Sequence, residues 1–150
     1  FQIGGQIQAG TGEVEVTDIC VTSVSRNMEN GALHYGEDIA VEFTVQFKGN
    51  VPDAYLNITF MDQANNQVAQ CLSARHGFRV QRRSNPQRIR MVYRALPFNP
   101  GFYSVWLVIY KPGDMKSYCV HHGVSPFEVA GDHVGYIPIQ PVTEWSVVRA

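Results

Sequence analysis

Apolar side chains in this chain alternate with polar ones over short segments, and turn-forming residues separate the segments at intervals of about 8 to 12 residues. The clearest segment is Ile39–Phe47, in which every second residue is Ile, Val or Phe. Alternate residues of a strand point to the same face, so this spacing predicts a half-buried strand. No helical period extends over even about eleven residues. The whole pattern predicts an antiparallel β-sandwich.

The length of 150 residues suits a single domain, which can bury a core without disulfide or metal staples. Residues 1–12 contain four glycines and no regular period, so we predict a linker remnant over 1–12 and the sandwich domain over 13–150. The longest apolar stretch, Val105–Tyr110, has six residues, whereas a membrane-spanning helix needs about 20. The N-terminal residues show no basic and then apolar signal region.

Residues with catalytic or metal-binding chemistry form no convincing group. There is no glycine-rich phosphate loop, no Gly-x-Ser-x-Gly elbow and no His-Glu-x-x-His motif. His121 and His122 are adjacent, and neighbouring strand residues point to opposite faces, so they cannot readily bind one metal. The acids that a glycosidase would need, Asp62, Asp114 and Asp132, all lie in turn contexts. We therefore expect a noncatalytic domain with no cofactor and no metal.

Three cysteines, Cys20, Cys71 and Cys119, are odd in number and widely spaced. This spacing does not suit a disulfide framework, and it lacks the close pairs that are typical of a zinc site. Free thiols in a reducing compartment are the expectation.

Charge is unevenly distributed along the chain, although the net charge is only −1. Between Gln63 and Gly113 there is no Asp or Glu, whereas eight basic residues lie there. Seven of them are arginines: Arg75, Arg79, Arg82, Arg83, Arg88, Arg90 and Arg94. Such a cluster favours an anionic partner, although arginines that are merely solvated on a loop and an outer strand face need no ligand. A nucleic acid is one possible partner, but the absence of net positive charge argues against it.

Trp106 lies on a strand that a Pro-Gly turn starts, and it falls on the opposite face from Tyr103, Val105 and Leu107. A large indole that faces away from the core is costly to leave in water unless a ligand or another chain covers it. Sugars suit such a face, because their C–H faces stack on aromatic rings while their hydroxyls bond to short polar groups. Cover by a neighbouring loop or a dimer partner is the alternative.

Five pieces of the chain occur together in an order and spacing that are moderately specific. They are Gly12–Ser23, Tyr35–Phe43, Leu56–Asp62, Leu96–Tyr103 and Phe127–Val129, the last followed by Gly135 and a terminal Trp145. In this order the chain resembles the C-terminal domain of Wzt-type ATPase subunits, which belong to ABC transporters that export O-antigen polysaccharide. The resemblance covers nearly the whole chain.

This resemblance implies a cytoplasmic carbohydrate-binding module of a longer subunit, associated with an inner-membrane transporter and joined to an N-terminal ATP-binding domain. It implies an immunoglobulin-like sandwich that forms a homodimer by exchanging its C-terminal strand, so Thr143–Val148 would pair with the other protomer. It also implies recognition of the modified non-reducing end of the O-polysaccharide, so that only completed chains are exported.

The resemblance supplies no motif for the sugar site, so the predicted site depends on strand geometry. In an immunoglobulin-like order the strands at Tyr55–Met61, Ser104–Tyr110 and Lys116–Val120 are neighbours. The predicted carbohydrate-binding residues on their outward face and on the loop above it are Trp106, Asn57, Thr59, Tyr118, Tyr55, Arg75, His76 and Arg79.

Each predicted site residue has an expected role. Trp106 and Tyr118 would stack on the sugar, and the side chains of Asn57 and Thr59 would bond to its hydroxyls. Arg75 or Arg79 would hold an acidic or phosphorylated cap. The competing hypothesis is a protein-interaction or dimerisation module that binds no glycan and buries Trp106 under a partner subunit.

Overall fold

The computed structural model of the chain describes residues 7–26, 31–114, 116–132 and 135–148. Within these ranges the chain forms ten strands and one short 3-10 helix, Ser73–His76. The strands are β1 (Ile7–Ala9), β2 (Val14–Ser23), β3 (Leu33–His34), β4 (Ile39–Phe47), β5 (Asp53–Asp62), β6 (Gln67–Leu72), β7 (Val80–Gln81), β8 (Gln87–Tyr93), β9 (Gly101–Tyr110) and β10 (Ser117–Ala130).

Two packed sheets make up the domain. The larger sheet has the order β1-β10-β9-β5-β6, with β3 added along β10 and β7 added along β5. The smaller sheet has the order β2-β4-β8. The pairings are antiparallel except for the short β3–β10 contact, which is parallel. The predicted antiparallel β-sandwich is confirmed.

The core lies between the inward faces of the two sheets. On β9, Val105, Leu107 and Ile109 are completely buried, as the alternation in the sequence predicts. They pack in one cluster with the alternate residues of β4 and β5, among them Phe43 and Phe60. Each such side chain contributes about 1.5 to 3 kcal/mol by leaving water, so this cluster is the main stabilising feature of the domain.

Register shifts interrupt three of the strand pairings, namely β2–β4, β9–β10 and, between Phe60 and Met61, β5–β6. The imperfect alternation of apolar residues around Asp18 predicts a bulge or a kinked edge strand there. The structure confirms an irregularity, because the register of β2 shifts between Thr17 and Cys20 and Asp18 adopts a left-handed φ of 55°. β10 is one strand of 14 residues with three register shifts. The sequence predicts two strands separated by a turn in this region, and that prediction is wrong, because the bulges absorb the irregular residues without ending the strand.

Three other segments differ from the sequence-based expectations or extend them. The predicted polar loop at Ser73–Pro86 contains the 3-10 helix and β7. β1 lies inside the predicted linker and pairs with β10, while residues 1–6 lie outside the described part of the chain, so the linker itself stays a prediction. The predicted terminal strand, Thr143–Val148, pairs with no strand within the described chain. No helix in the described residues is long and apolar enough to cross a membrane.

Candidate functional site

The outward face of the larger sheet brings together four of the predicted site residues. Thr59 of β5 lies directly opposite Trp106 of β9, and Tyr55 lies opposite Tyr110. Directly opposed residues share a face of the sheet, so their side chains form one surface together with those of the neighbouring strands. We call this surface the Trp106 face. It comprises Tyr55, Asn57, Thr59, Gln70, Leu72, Ser104, Trp106, Val108, Tyr110 and His122.

Trp106 is partly exposed and packs edge-on against the imidazole of His122, with ring centroids 5.0 Å apart. The indole Nε1, the His122 Nδ1 and the Ser104 Oγ are buried, and no hydrogen-bond partner for them exists among the described residues. Buried polar atoms nearly always have a partner in folded proteins. Three unpaired atoms within one small area distinguish this region from the rest of the sheet surface.

Asn57 and Thr59 form a pair on this face. Thr59 is only 5% exposed, and its hydroxyl donates a hydrogen bond to Asn57 Oδ1 at 3.1 Å. Asn57 itself is partly exposed. Its side-chain nitrogen has no bond to another residue in the described chain, so it remains able to donate to a ligand. Thr59 therefore orients Asn57, and the predicted direct contact of Thr59 with a sugar does not fit its burial.

Arg79 lies at one edge of the Trp106 face, next to Tyr55. Its guanidinium donates to Asp53 Oδ2 at 2.8 Å and to the Tyr55 hydroxyl at 3.1 Å. The guanidinium carbon is also 5.1 Å from the centre of the Tyr55 ring, within the range of a cation–π contact. The hydrogen bond that Arg79 donates to Asp53 raises the pKa of the guanidinium above its ordinary value. Arg79 thus fixes the Tyr55 ring and already has an acidic partner.

Tyr118 does not lie on the Trp106 face, so that part of the prediction is wrong. Its side chain is 2% exposed and belongs to the hydrophobic core. The physical reason is the bulge in β10 between Ser117 and Cys119, which changes which side chains face outward. The same strand instead brings His122 to the face, beside Trp106.

Arg75 and His76 also lie apart from the Trp106 face, contrary to the prediction. They line a cleft whose other lining residues include Leu56 and Ile58, and these two point from β5 towards the interior. The 3-10 helix carries both residues, and both are exposed. In place of the predicted arch over the sugar site, the two residues line a cleft that meets the Trp106 face at Gln70 and Leu72.

Sequence reasoning missed His122 and Gln70 as members of the face. In the sequence His122 stands out only through its adjacency to His121, as one of a pair of possible metal ligands. In the structure His121 lies opposite Leu107, while His122 contacts Trp106, so the two imidazoles have different surroundings. Burial lowers the pKa of His121, which favours its neutral form.

No cluster of three or more His, Cys, Asp or Glu in the described ranges could hold a metal ion. The register between β9 and β10 determines that His122 lies beside Trp106, but the bulges in β10 prevent that register from being read from the sequence.

Comparisons with known proteins give a consistent result for the whole chain. The model of the family described as the Wzt C-terminal domain matches residues 6–138. A crystal structure of the C-terminal domain of Wzt superimposes with a TM-score of 0.81 at 14% identity, over 97% of this chain and 90% of the other. A comparison with curated protein sequences finds no match.

Two further structures share the general sandwich fold at a lower level. The alkylpurine DNA glycosylase AlkC of Pseudomonas fluorescens, solved bound to DNA with an abasic site analogue, has a TM-score of 0.50 at 14% identity over 80% of this chain and 31% of its own. A Niemann-Pick type C2 protein from Japanese carpenter ant has a TM-score of 0.52 at 9% identity over 83% and 98%. At these identities the likeness concerns the fold alone. The family match covers far more than half of the chain, which confirms the resemblance seen in the sequence: the protein belongs to the Wzt C-terminal domain family.

Proposed function

We propose that this domain is a noncatalytic module that recognises the modified non-reducing end of an O-antigen polysaccharide and so couples chain completion to export by an ABC transporter. Membership of the Wzt C-terminal domain family supports this function. The single observation that carries the site is the partly exposed Trp106, held on a rigid sheet beside the available amide of Asn57. An aromatic ring next to a hydrogen-bond donor is a suitable arrangement for a sugar.

Each side chain of the Trp106 face takes a distinct part in this proposal. Trp106 stacks on a sugar ring, and Tyr55 extends the aromatic surface along β5. Asn57 donates to a sugar hydroxyl, and Thr59 holds its amide in the required orientation. Because Arg79 is already paired with Asp53, an acidic cap would have to compete with that carboxylate. Stacking and neutral hydrogen bonds therefore contribute more here than ion pairing does.

The assembly we propose follows the family. The domain would be cytoplasmic and form a homodimer with an exchanged C-terminal strand, and it would be joined to an N-terminal ATP-binding domain that associates with the membrane subunit of the transporter. The exposed side chains of Trp145, Val147 and Val148 support a partner for the tail, because apolar side chains of this size are seldom left together in water. Two sites in one dimer would offset a weak affinity at each.

Calorimetric titration of the purified domain with O-polysaccharide from its own source tests the proposal. We expect the capped glycan to bind and the same glycan without its terminal modification to bind weakly or not at all. Replacing Trp106 by Ala should weaken binding by about tenfold or more, because a central aromatic anchor carries much of such an interface. Replacing Thr59 by Val, which keeps the volume but removes the hydroxyl, should weaken it less.

Phe78→Ala provides the matched control, since Phe78 is an exposed aromatic residue that lines the separate cleft. It should leave glycan affinity unchanged. A folded Trp106→Ala variant that binds the capped glycan normally would contradict the placement of the site. Equal affinity for capped and uncapped chains would contradict end recognition.

A protein-interaction or dimerisation module without glycan binding is the second candidate function. The exposed apolar tail is the observation that favours it. It predicts no heat of binding with either glycan, together with an intact dimer and loss of the dimer on Trp106→Ala. The two functions therefore give opposite results in the same titration.

A further inference from the structure

A cleft of about 560 Å³ opens between the two sheets on the side where β6 and β8 form their edges. One wall includes the inward residues Leu56, Ile58 and Cys71 of the larger sheet, and Gln70 and Leu72 of the edge strand β6 also line the cleft. Ile89 and Met91 of β8 contribute to the opposite wall and pack against the core. The volume lies within the range of about 300 to 1,000 Å³ that is typical of small-molecule sites.

The inner end of the cleft has the character of a hydrocarbon environment. Leu56 and Ile58 are buried there, whereas Ile89, Met91 and Tyr93 are only partly buried, so apolar surface stays open to the cleft. Burial raises the pKa of the Cys71 thiol to about 11, so it is neutral at physiological pH. Burial also raises the pKa of Tyr93. These neutral, largely apolar walls favour an alkyl chain over a polar ligand, because a polar group without a partner is costly to bury.

The rim of the cleft is basic. Arg75, His76, Arg90 and Arg94 line it, and none of its lining residues is Asp or Glu. Arg90 and Arg94 have acidic partners outside the lining, in Glu42 and Asp38. Arg75 is exposed, and no carboxylate of the described residues pairs with it. Its charge is therefore available to an anion at the mouth of the cleft.

We propose that this cleft binds a single-chain anionic amphiphile, with the hydrocarbon chain between the sheets and a carboxylate or phosphate headgroup at Arg75. The hydrocarbon chain would lie against the inward side chains Leu56, Ile58 and Cys71, so its place differs from the Trp106 face, which the cleft meets at Gln70 and Leu72 of β6. Apolar walls together with a basic rim match a molecule that has one apolar and one anionic end. Apolar walls alone, or a basic rim alone, would not select such a molecule.

Fluorescence titration of the full 150-residue chain with cis-parinaric acid, a fluorescent fatty acid, tests this binding. We expect saturable binding and competition by dodecyl phosphate but not by inorganic phosphate. The methyl ester of the probe, which lacks the charge, should bind about tenfold more weakly, the effect of losing one charge-assisted hydrogen bond. Competition by inorganic phosphate at low concentration would identify a plain anion site and overturn the proposal.

Two variants separate the headgroup contact from the chain contact. Arg75→Gln should weaken the acid about tenfold and leave the ester unchanged, whereas Arg83→Gln, an exposed arginine outside the cleft, should change neither. Met91→Trp should fill the cleft and abolish binding of both. If that variant fails to fold, alkylation of Cys71 in the wild-type chain provides the second readout, because the bound probe should protect this thiol.

Three further results would overturn the proposal: no saturable binding, equal affinity for acid and ester, or binding that appears only after residues 141–150 are deleted. The last result would identify the tail of a second copy as the occupant of the cleft. Trp106→Ala should not affect the probe, so failure here and failure of glycan recognition can be told apart.

Discussion

Ser104 is a small residue in an unusual situation. It is completely buried on the outward face of β9, and its hydroxyl has no hydrogen-bond partner among the described residues. A buried hydroxyl without a partner loses its bonds to water and gains nothing in exchange. Ser23 provides the contrast, because this residue is also buried, at 7% exposure, but its hydroxyl donates to Glu37 at 3.0 Å and accepts from the backbone nitrogens of Ser25 and Arg26.

Replacing Ser104 by Ala should therefore leave the free energy of unfolding unchanged or raise it by up to about 1 kcal/mol. Ser23→Ala should lower it by about 1 to 2 kcal/mol, since it leaves bonded groups without their partner. Urea denaturation of the two variants and the wild type measures both effects. A loss of more than about 1 kcal/mol in Ser104→Ala would mean that the hydroxyl has an ordered-water partner.

The face on which a candidate site residue lies could be predicted from the sequence where the strand is regular. The alternation along β5 and β9 places Tyr55, Asn57 and Trp106 on one face, and the structure brings them together. Tyr118 was misplaced because a bulge is a one-residue insertion in the pairing, and no side-chain pattern in the sequence reveals which residue is the extra one. Arg75 was misplaced because the direction of a loop depends on tertiary packing.

Among the elements, β4 is the one that the sequence predicts best. Its bounds, Ile39–Phe47, agree with the alternating segment, because a strand between β2 and β8 has one face in the core along its whole length. β10 could not be predicted as one strand, since glycine and proline within it are typical of turns. The cleft could not be predicted at all, because it depends on how far apart two edge strands lie.

Glu37 connects three elements, and its ionisation should make the stability of the domain depend on pH. Its carboxylate accepts hydrogen bonds from Arg26, the Ser23 hydroxyl at the end of β2 and the backbone nitrogen of His34 in β3. These bonds, chiefly that from Arg26, hold its pKa below the ordinary value of 4.5. Ionised Glu37 therefore stabilises the folded state. This contribution is complete above the ordinary pKa and is lost as the pH falls through the lower pKa of the folded state.

Glu37→Gln should lower the free energy of unfolding at neutral pH by about 1 to 2 kcal/mol, because the amide replaces the hydrogen bonds of the carboxylate only in part. The loss stays modest because solvent screens the exposed ion pair with Arg26. The difference from wild type should shrink as the pH falls below 4.5. Urea midpoints at about pH 7 and about pH 3.5 measure this. Glu128→Gln, at an exposed strand position, is the control and should show little difference at either pH. A difference that is constant with pH would contradict the assigned role of the charge.

At the scale of the whole molecule, two features leave apolar surface uncovered on separate sides of the sandwich. The Trp106 face lies outside the larger sheet, and the cleft lies between the sheets. A single domain of this kind can therefore present two ligand sites that use opposite faces of β5 and meet at Gln70 and Leu72 of β6. β5 contributes outward residues to one and inward residues to the other, because successive side chains of a strand alternate.

The C-terminal segment is a third uncovered feature, and its contacts end abruptly. Ile139 pairs with Phe98, and the backbone carbonyls of Gln140 and Pro141 accept from the Tyr35 hydroxyl. Beyond Pro141 every described residue is exposed, and Trp145 is 92% exposed. Since residues 142–148 are all exposed on their own sandwich, stabilising contacts for them must come from another chain if they are ordered in solution.

Deleting residues 143–150 should therefore convert the proposed dimer into a monomer without weakening the isolated sandwich. Because association stabilises a folded chain by mass action, the thermal midpoint of the full chain should rise with protein concentration, whereas that of the truncated chain should stay constant. Analytical ultracentrifugation gives the oligomeric state.

The chain has two tryptophans, so Trp106→Phe leaves Trp145 as the only indole reporter. Its emission should shift to shorter wavelength as the dimer forms and the tail leaves water. A full chain that stays monomeric, with Trp145 emitting as a solvated indole at every concentration, would contradict the exchanged strand and leave the apolar tail to a different partner.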